Sequence, residues 1–164
     1  MKTNYWLKTL FFIFFLSVSG YAGAKVSALP RFASVKSSTV NVRSGPGVRY
    51  PISFIYKQKN TVVEIIAEFD VWLKIRDSSG DIGWVNGNML SSRRYFEVTA
   101  DSGAVLYERE GEVLNPIANL EKGVVGKLVS CSFRLDYCNV KVDKFEGVVM
   151  KRDIFGVYEY ETVK

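Results

Sequence analysis

The sequence predicts an all-β protein made of two small barrels, and three observations carry that prediction. Short stretches alternate apolar with polar residues, and turn formers separate them at close intervals. Helical periodicity is nearly absent beyond the first 24 residues. The chain also repeats itself: residues 37–52 lie over 102–117 at an offset of 65, so that Val40 meets Val105 and Tyr50-Pro51-Ile52 meets Asn115-Pro116-Ile117. Leu73-Lys74-Ile75 resembles Val140-Lys141-Val142, and Gly83-Trp84-Val85 resembles Gly147-Val148-Val149. Two units of roughly 60 residues fit the length, each near the lower limit for independent folding. A single larger β domain is the competing reading.

The elements follow in order. Residues 1–24 read as a signal peptide: Lys2 and Lys8 give a positive start, 10–18 is apolar apart from Ser17, and Ala22-Gly23-Ala24 offers the small residues of a cleavage site. The apolar run is short for a spanning helix, although Trp6 and Leu7 lengthen it, so cleavage is expected ahead of a retained anchor. Residues 25–30 form a tether, 31–92 the first barrel and 95–160 a degenerate second one. Val40 and Val42 alternate with polar neighbours, 62–69 is β-branched and aromatic, and 77–81 is a turn before the strand 82–86. Along 71–77, Val71, Leu73 and Ile75 share the core face, which sends Trp72, Lys74 and Arg76 outward.

Composition narrows the function. Histidine is absent from all 164 residues, which removes Ser-His-Asp and Cys-His catalysis and the commonest metal ligand. Lys2 and Lys8 are the only charges of the leader, so its removal lowers the formal net charge from +5 to +3, far from the basic footprint of a nucleic-acid binder. Cys131 and Cys138 are the two cysteines, a poor metal set without histidine. In an oxidising compartment they are expected to pair, and their spacing is not that of a Cys-x-x-Cys redox dithiol. Carboxylates such as Glu64, Asp70, Asp77 and Asp81 leave a two-carboxylate glycosidase open in composition, but most fall at turns or outward strand positions. No catalytic residue, metal or cofactor is expected.

The motif Asn41-Val42-Arg43-Ser44-Gly45-Pro46-Gly47, the strand Trp72-Leu73-Lys74-Ile75 and the ending Gly83-Trp84-Val85-Asn86-Gly87-Asn88-Met89-Leu90 resemble the bacterial Src-homology-3-like (SH3-like) domain of exported envelope proteins. The end of the second unit, 147–158, is similar to the last strands of tandem members. The resemblance implies a strongly bent five- or six-stranded barrel, a non-catalytic targeting role, and often binding of peptidoglycan peptides. It also implies that the aromatic after the glycine, Trp84, lies near the ligand groove with Asn88 and Met89, and similar tandem proteins often carry a comparable cysteine pair. Independently, Gly45 and Gly47 are expected to supply backbone angles that a Cβ resists, with Pro46 fixing the turn. Gly83 suits a barrel corner or a close backbone approach.

The candidate ligand-binding residues are Trp72, Lys74, Arg76, Trp84, Asn88 and Tyr50. An indole beside two cations can stack on a sugar or peptide while a cation meets a carboxylate. The alternative for Trp72 is a cover over the barrel end. Tyr50 and Tyr56 either complete an aromatic rim or are strand residues, core packing being the stronger reading for Tyr56. Arg43 is expected to hold its loop through carbonyl contacts. On the 65-residue offset Arg43 corresponds to Glu108, Trp84 to Val148, and Trp72 falls near Asn139, which places binding in the first unit. The expected partner is a cell-wall peptide or glycan, met in the periplasm or cell envelope after secretion across the inner membrane. The alternative is an envelope protein-interaction scaffold using an edge strand or the tail at 155–160. Nucleic acid is not expected, and membrane contact is expected only through an uncleaved leader.

Overall fold

The computed structural model describes residues 28–164, so the leader and the first half of the tether lie outside the described residues. Two antiparallel seven-stranded sheets follow one another along the chain. The first contains β1 Arg31–Val35, β2 Val40–Arg43, β3 Ile52–Tyr56, β4 Val62–Phe69, β5 Trp72–Arg76, β6 Ile82–Asn86 and β7 Leu90–Ser91, with a 3-10 turn Gly87–Met89 before β7. The second contains β8 Tyr95–Val98, β9 Ala104–Glu110, β10 Val113–Leu120, β11 Val125–Cys131, β12 Tyr137–Val142, β13 Phe145–Met150 and β14 Ile154–Phe155, with a 3-10 turn Lys151–Asp153 before β14. Strand order is β3-β2-β6-β5-β4-β1-β7 in one and β10-β9-β13-β12-β11-β8-β14 in the other, the same path walked twice. The fold is all-β, as expected, in the form of small bent SH3-like barrels.

Each unit closes on its own core. Ala33, Val35, Val40, Val42, Val63, Ile65, Ile75, Val85 and Leu90 fill the first. Phe96, Val98, Ala104, Leu106, Leu128, Val140 and Val149, with both cysteines, fill the second. The bulges coincide too. Ser53 is skipped opposite β2, as Ile117 is opposite β9. Ile66 is skipped opposite β5, as Val129 is opposite β12. An extra residue re-aims every side chain beyond it, so shared bulges mean shared facing.

The pairing register corrects the repeat offset. Arg43 pairs with Trp84, and Tyr107 with Val148, so β2 overlies β9 at 64 rather than 65. Arg43 therefore corresponds to Tyr107, not Glu108, and no charge is reversed. Lys74 pairs with Trp84 and Asn139 with Val148, which matches Lys74 with Asn139 and Trp72 with Tyr137. Leu73-Lys74-Ile75 thus overlies Cys138-Asn139-Val140 instead of 140–142. A slip of one residue exchanges the two faces of a strand, which is why the offset matters.

Complementary packing accompanies the duplication. In the first sheet Ala33 lies opposite Val63; in the second Phe96 lies opposite Gly126. A Cβ on Gly126 would stand 2.5 Å from the Phe96 ring, so the bulk given to one strand is withdrawn from its neighbour. The second unit then reaches back over the first. Phe155 and Tyr158 pack on Phe32 with ring centroids 5.0 and 4.6 Å away, and Arg94 lies over the same ring. Beneath them Glu64, 4 % exposed, accepts hydrogen bonds from Arg76 Nη2 at 2.6 Å and Tyr158 Oη at 2.8 Å.

Candidate functional site

The outer face of the first sheet is divided by that overlap. Its β4–β1 end is covered by the returning segment, while its β2–β6–β5 end is left open. Across the open end, directly opposed residues run Ile52, Arg43, Trp84, Lys74, Ala67, and the neighbouring row runs Asn86, Trp72, Phe69. Opposed residues in an antiparallel pair project to the same side, so Trp84 and Trp72 sit diagonally with Lys74 between them. Leu73 and Ile75 point to the core, which produces this outward set as the alternation requires. Val71 does not join them: it lies in the two-residue turn after Phe69 and is 52 % exposed. Asp70, at φ 52°, turns the chain there, and the core face begins only at Leu73.

Both indoles are half-buried on the sheet. Lys74 is half-buried and makes no ion pair or side-chain hydrogen bond among the described residues. Arg76 differs. Its Nε and Nη2 both meet Glu64 Oε2, at 3.0 and 2.6 Å, on the covered side, so it is engaged within the fold and not presented beside Trp72 as a second free cation. Glu64 itself is an interior carboxylate, neither at a turn nor solvated.

Tyr50 enters through the loop 44–51. Arg43 Nη1 donates to the Tyr50 carbonyl at 2.7 Å, the loop-holding role expected of Arg43. The Tyr50 ring lies against Gly45 and Gly47: a Cβ on Gly45 would stand 2.4 Å from Cδ1, and on Gly47 3.4 Å from Cδ2. Neither glycine has the left-handed φ expected of it; Gly45 makes room for the ring, while a Cβ on Gly47 would reach only ordinary contact with it. Tyr50 stays 46 % exposed in the loop that Arg43 holds. Asn88 lies beyond the other row. Its N–H is held by Asn86 Oδ1 at 3.0 Å and its carbonyl receives Lys36 Nζ at 3.1 Å, which leaves the side chain exposed on the 3-10 turn. The structure thus brings Trp84, Trp72 and Lys74 together, hangs Tyr50 on one margin and Asn88 on another, and withdraws Arg76.

Tyr56 packs on the core, and its phenol donates to Asp77 Oδ2 at 3.0 Å. Burial, then the Asp77 carboxylate, pushes it well above the ordinary tyrosine range, so it stays neutral and structural. Gly83 shows the close approach expected of it, since a Cβ would stand 2.3 Å from Val42 Cγ1. Sequence reasoning overlooked Ile52 and Phe69, 45 and 61 % exposed on the same face. Their facing depends on the bulges at Ser53 and Ile66, which alternation alone does not reveal.

In the second unit the equivalent face carries Tyr107, Val148, Asn139 and Tyr137, without either indole or Lys74. Val148 is only 2 % exposed. Cys131 and Cys138 are directly opposed and joined, as expected. Their loop, 132–136, borders a recess of about 460 Å³ lined by Phe133, Met150, Arg152 and Tyr160 among others. That recess lies away from the indole face. Among the described residues no cluster of three or more Cys, Asp and Glu is placed to hold a metal ion.

Residues 36–92 match the family model described as Bacterial SH3 domain, which makes the first unit an SH3-like domain. No curated protein sequence matches the chain. Among solved structures, NlpC2 from Trichomonas vaginalis is similar at 9 % identity and a TM-score of 0.35, over 78 % of this chain and 48 % of that one. NlpC1 from the same organism is similar at 7 % identity and 0.35, over 80 % and 47 %. The chain spans about half the length of these structures.

Proposed function

We propose that the protein is a non-catalytic, exported binding module whose first unit holds a cell-wall peptide or glycan on its open sheet face. One observation carries the reading: two half-buried indoles flank a cation with no partner of its own among the described residues, on the uncovered half of an SH3-like sheet. Indole faces take apolar sugar or peptide surface with little ordering cost, and Lys74 meets a carboxylate. Export is supported by the positive, apolar and small-residue run of 1–24 and by the Cys131–Cys138 disulfide, a bond that persists in oxidising compartments.

The test is co-sedimentation of the protein with purified wall sacculi, compared with Trp84→Ala and Trp72→Ala. Retention of the parent and its loss in both variants is the expected result. Equal retention of all three, or none of the parent, ends the reading. A second reading, an envelope protein scaffold, is favoured by the β9–β10 arm. β10 is the last strand of its sheet, and Val113 and Ile117 on it are 59 and 42 % exposed. Such an edge accepts a partner strand. Pulldown from envelope extract that succeeds without wall material and fails with an Ile117→Lys variant selects it.

A further inference from the structure

A recess of about 310 Å³ opens where the end of β1, the turn between β3 and β4 and the exit of β7 meet. Ser34, Val35, Lys36, Lys59, Asn60, Ser91 and Arg93 line it. Three of these are cations and none is an acid. Elsewhere Arg31, Arg76, Arg94, Lys122 and Lys141 each have a carboxylate within 2.7 Å. Lys36, Lys59 and Arg93 have no carboxylate partner among the described residues. Like charges gathered without a counter-charge raise the local potential and cost stability unless something answers them.

The walls are built rather than incidental. Val35 N donates to Thr61 O and Asn60 N to Val35 O, at 3.0 and 2.9 Å, which fixes the β3–β4 turn on β1. Asn60 holds a left-handed φ of 67° to make that turn. Ser34, 1 % exposed, donates its hydroxyl to Arg93 O at 2.9 Å, and Arg93 N donates to Ser91 Oγ at 3.2 Å, so the Arg93 backbone is pinned from both sides. Lys36 is tied to Asn88 O and stands at the rim. Two lysines, an arginine, the Ser91 hydroxyl and the Asn60 side-chain amide thus belong to residues lining one space.

We infer that this recess binds a phosphate group. A carboxylate presents two acceptor oxygens in one plane and a chloride has no directed acceptor pair for a guanidinium fork, so neither suits three cations set around one recess. A phosphate, with up to two charges and several acceptor oxygens, meets the guanidinium in a fork and the ammonium groups as point charges. The volume is at the lower end of small-ligand sites, enough for a phosphate and the start of its ester arm. The group enters as free phosphate, as the phosphodiester of a wall polymer, or as a lipid headgroup, since the recess reads the phosphate and not what carries it.

The test titrates isotopically labelled protein with inorganic phosphate, ionic strength being held with chloride. Amide shifts at Lys36, Asn60, Ser91 and Arg93 are expected to saturate with phosphate and to be absent with chloride alone. Lys59→Ala and Arg93→Ala are expected to weaken binding by about fivefold each, the upper end for an exposed charge pair. Both side chains are exposed, so the variants fold. Vesicles containing phosphatidylglycerol, set against vesicles of a phosphate-free glycolipid, separate the sources. Retention lost in the double variant assigns the lipid headgroup, and phosphate shifts without retention assign free or polymer phosphate. Shifts that follow ionic strength equally with chloride, or affinities unchanged in both variants, overturn the inference.

Discussion

The two units share one path, one set of bulges and one core face, yet they distribute their loops in opposite ways. The first unit has eight residues between β2 and β3 and five between β5 and β6, but only Asp70 and Val71 between β4 and β5. The second has two between β9 and β10, two between β12 and β13, and five in the disulfide-closed turn between β11 and β12. The long loop of the first unit seats Tyr50 beside Arg43. In the second unit that loop is gone, and β9 and β10 run on as a plain hairpin arm. What the comparison teaches is that buried alternation specifies the barrel, while outward positions and loop lengths specify what each barrel meets. The core tolerates exchange of bulk between strands, as Ala33–Val63 against Phe96–Gly126 shows, whereas the indole face is present in one copy and absent from the other.

The sharpest way to break the equivalence of the two scaffolds is through their matching glycines. A Cβ on Gly147 would stand 2.4 Å from the Tyr107 carbonyl oxygen, and on Gly83 2.3 Å from Val42 Cγ1. Backbone cannot step aside; a valine methyl can turn away. Gly147→Ala is therefore expected to cost about 3 kcal/mol and Gly83→Ala about 1 to 2, within the range of overpacked sites. Denaturant unfolding of both variants measures the difference, and equal costs would mean that the two close approaches are equivalent in kind.

Next in size is the disulfide, which the first unit lacks. Replacing both Cys131 and Cys138 by Ser is expected to cost about 2.5 kcal/mol on the chain-entropy account of so short a loop. Val163 exchanges two backbone hydrogen bonds with Cys131, so the terminal segment is expected to loosen with it. Calorimetry gives the stability, and hydrogen exchange at Val163 reads the segment. Unchanged stability would assign the loop's order to its own packing.

The strands, the outward run of Trp72 and Lys74 and the paired cysteines were legible because each follows from alternation or from residue chemistry within a few positions. What was not legible is non-local. Glu64 reads as one more strand carboxylate until Tyr158, 94 residues away, covers it, and that burial is also what removes Arg76 from the candidate face. The offset of 65 read well in letters, but sheet pairing fixes it at 64 for β2 and β9 and at 65 for β5 and β12, because loop lengths differ between the units and letters alone do not show which strand residues face each other. Gly45 was read as conformational, whereas its lack of a side chain serves the Tyr50 ring. Neutral residues such as Asn60 and Ser91 gave no signal of the cationic recess, which forms only when three separate elements meet.

The comparison is sharpened further by exchanging aromatics at matched positions. Trp72 corresponds to Tyr137. Trp72→Ala is expected to weaken wall binding about tenfold, in line with about 1.4 kcal/mol for a stacked ring, while Tyr137→Ala leaves it unchanged. Sedimentation isotherms of the two variants decide it, and an equal loss would show that the second face takes part.

The smallest effect lies in the segment through which the second unit holds the first. Burial by itself would raise the Glu161 carboxyl, but Arg94, bonded to both of its oxygens at 2.5 and 2.9 Å, brings it below the ordinary carboxylate value of 4.5, with the Tyr158 N–H assisting. A depressed folded-state value means that the stabilisation is present above the unfolded carboxylate range and is lost as pH falls through the folded one. The Tyr158 phenol, pushed upward first by burial and then by its bond to Glu64, stays neutral. Amide exchange at Tyr158 and Val163 is therefore expected to gain an acid-dependent opening below about pH 4.5, over and above the intrinsic exchange rate, which Glu161→Gln abolishes. Because Arg94 also donates to Gly156 O at 2.6 Å, the variant keeps the segment in place at neutral pH. Acid-dependent opening that persists in Glu161→Gln would mean that the Arg94–Glu161 pair does not hold the segment.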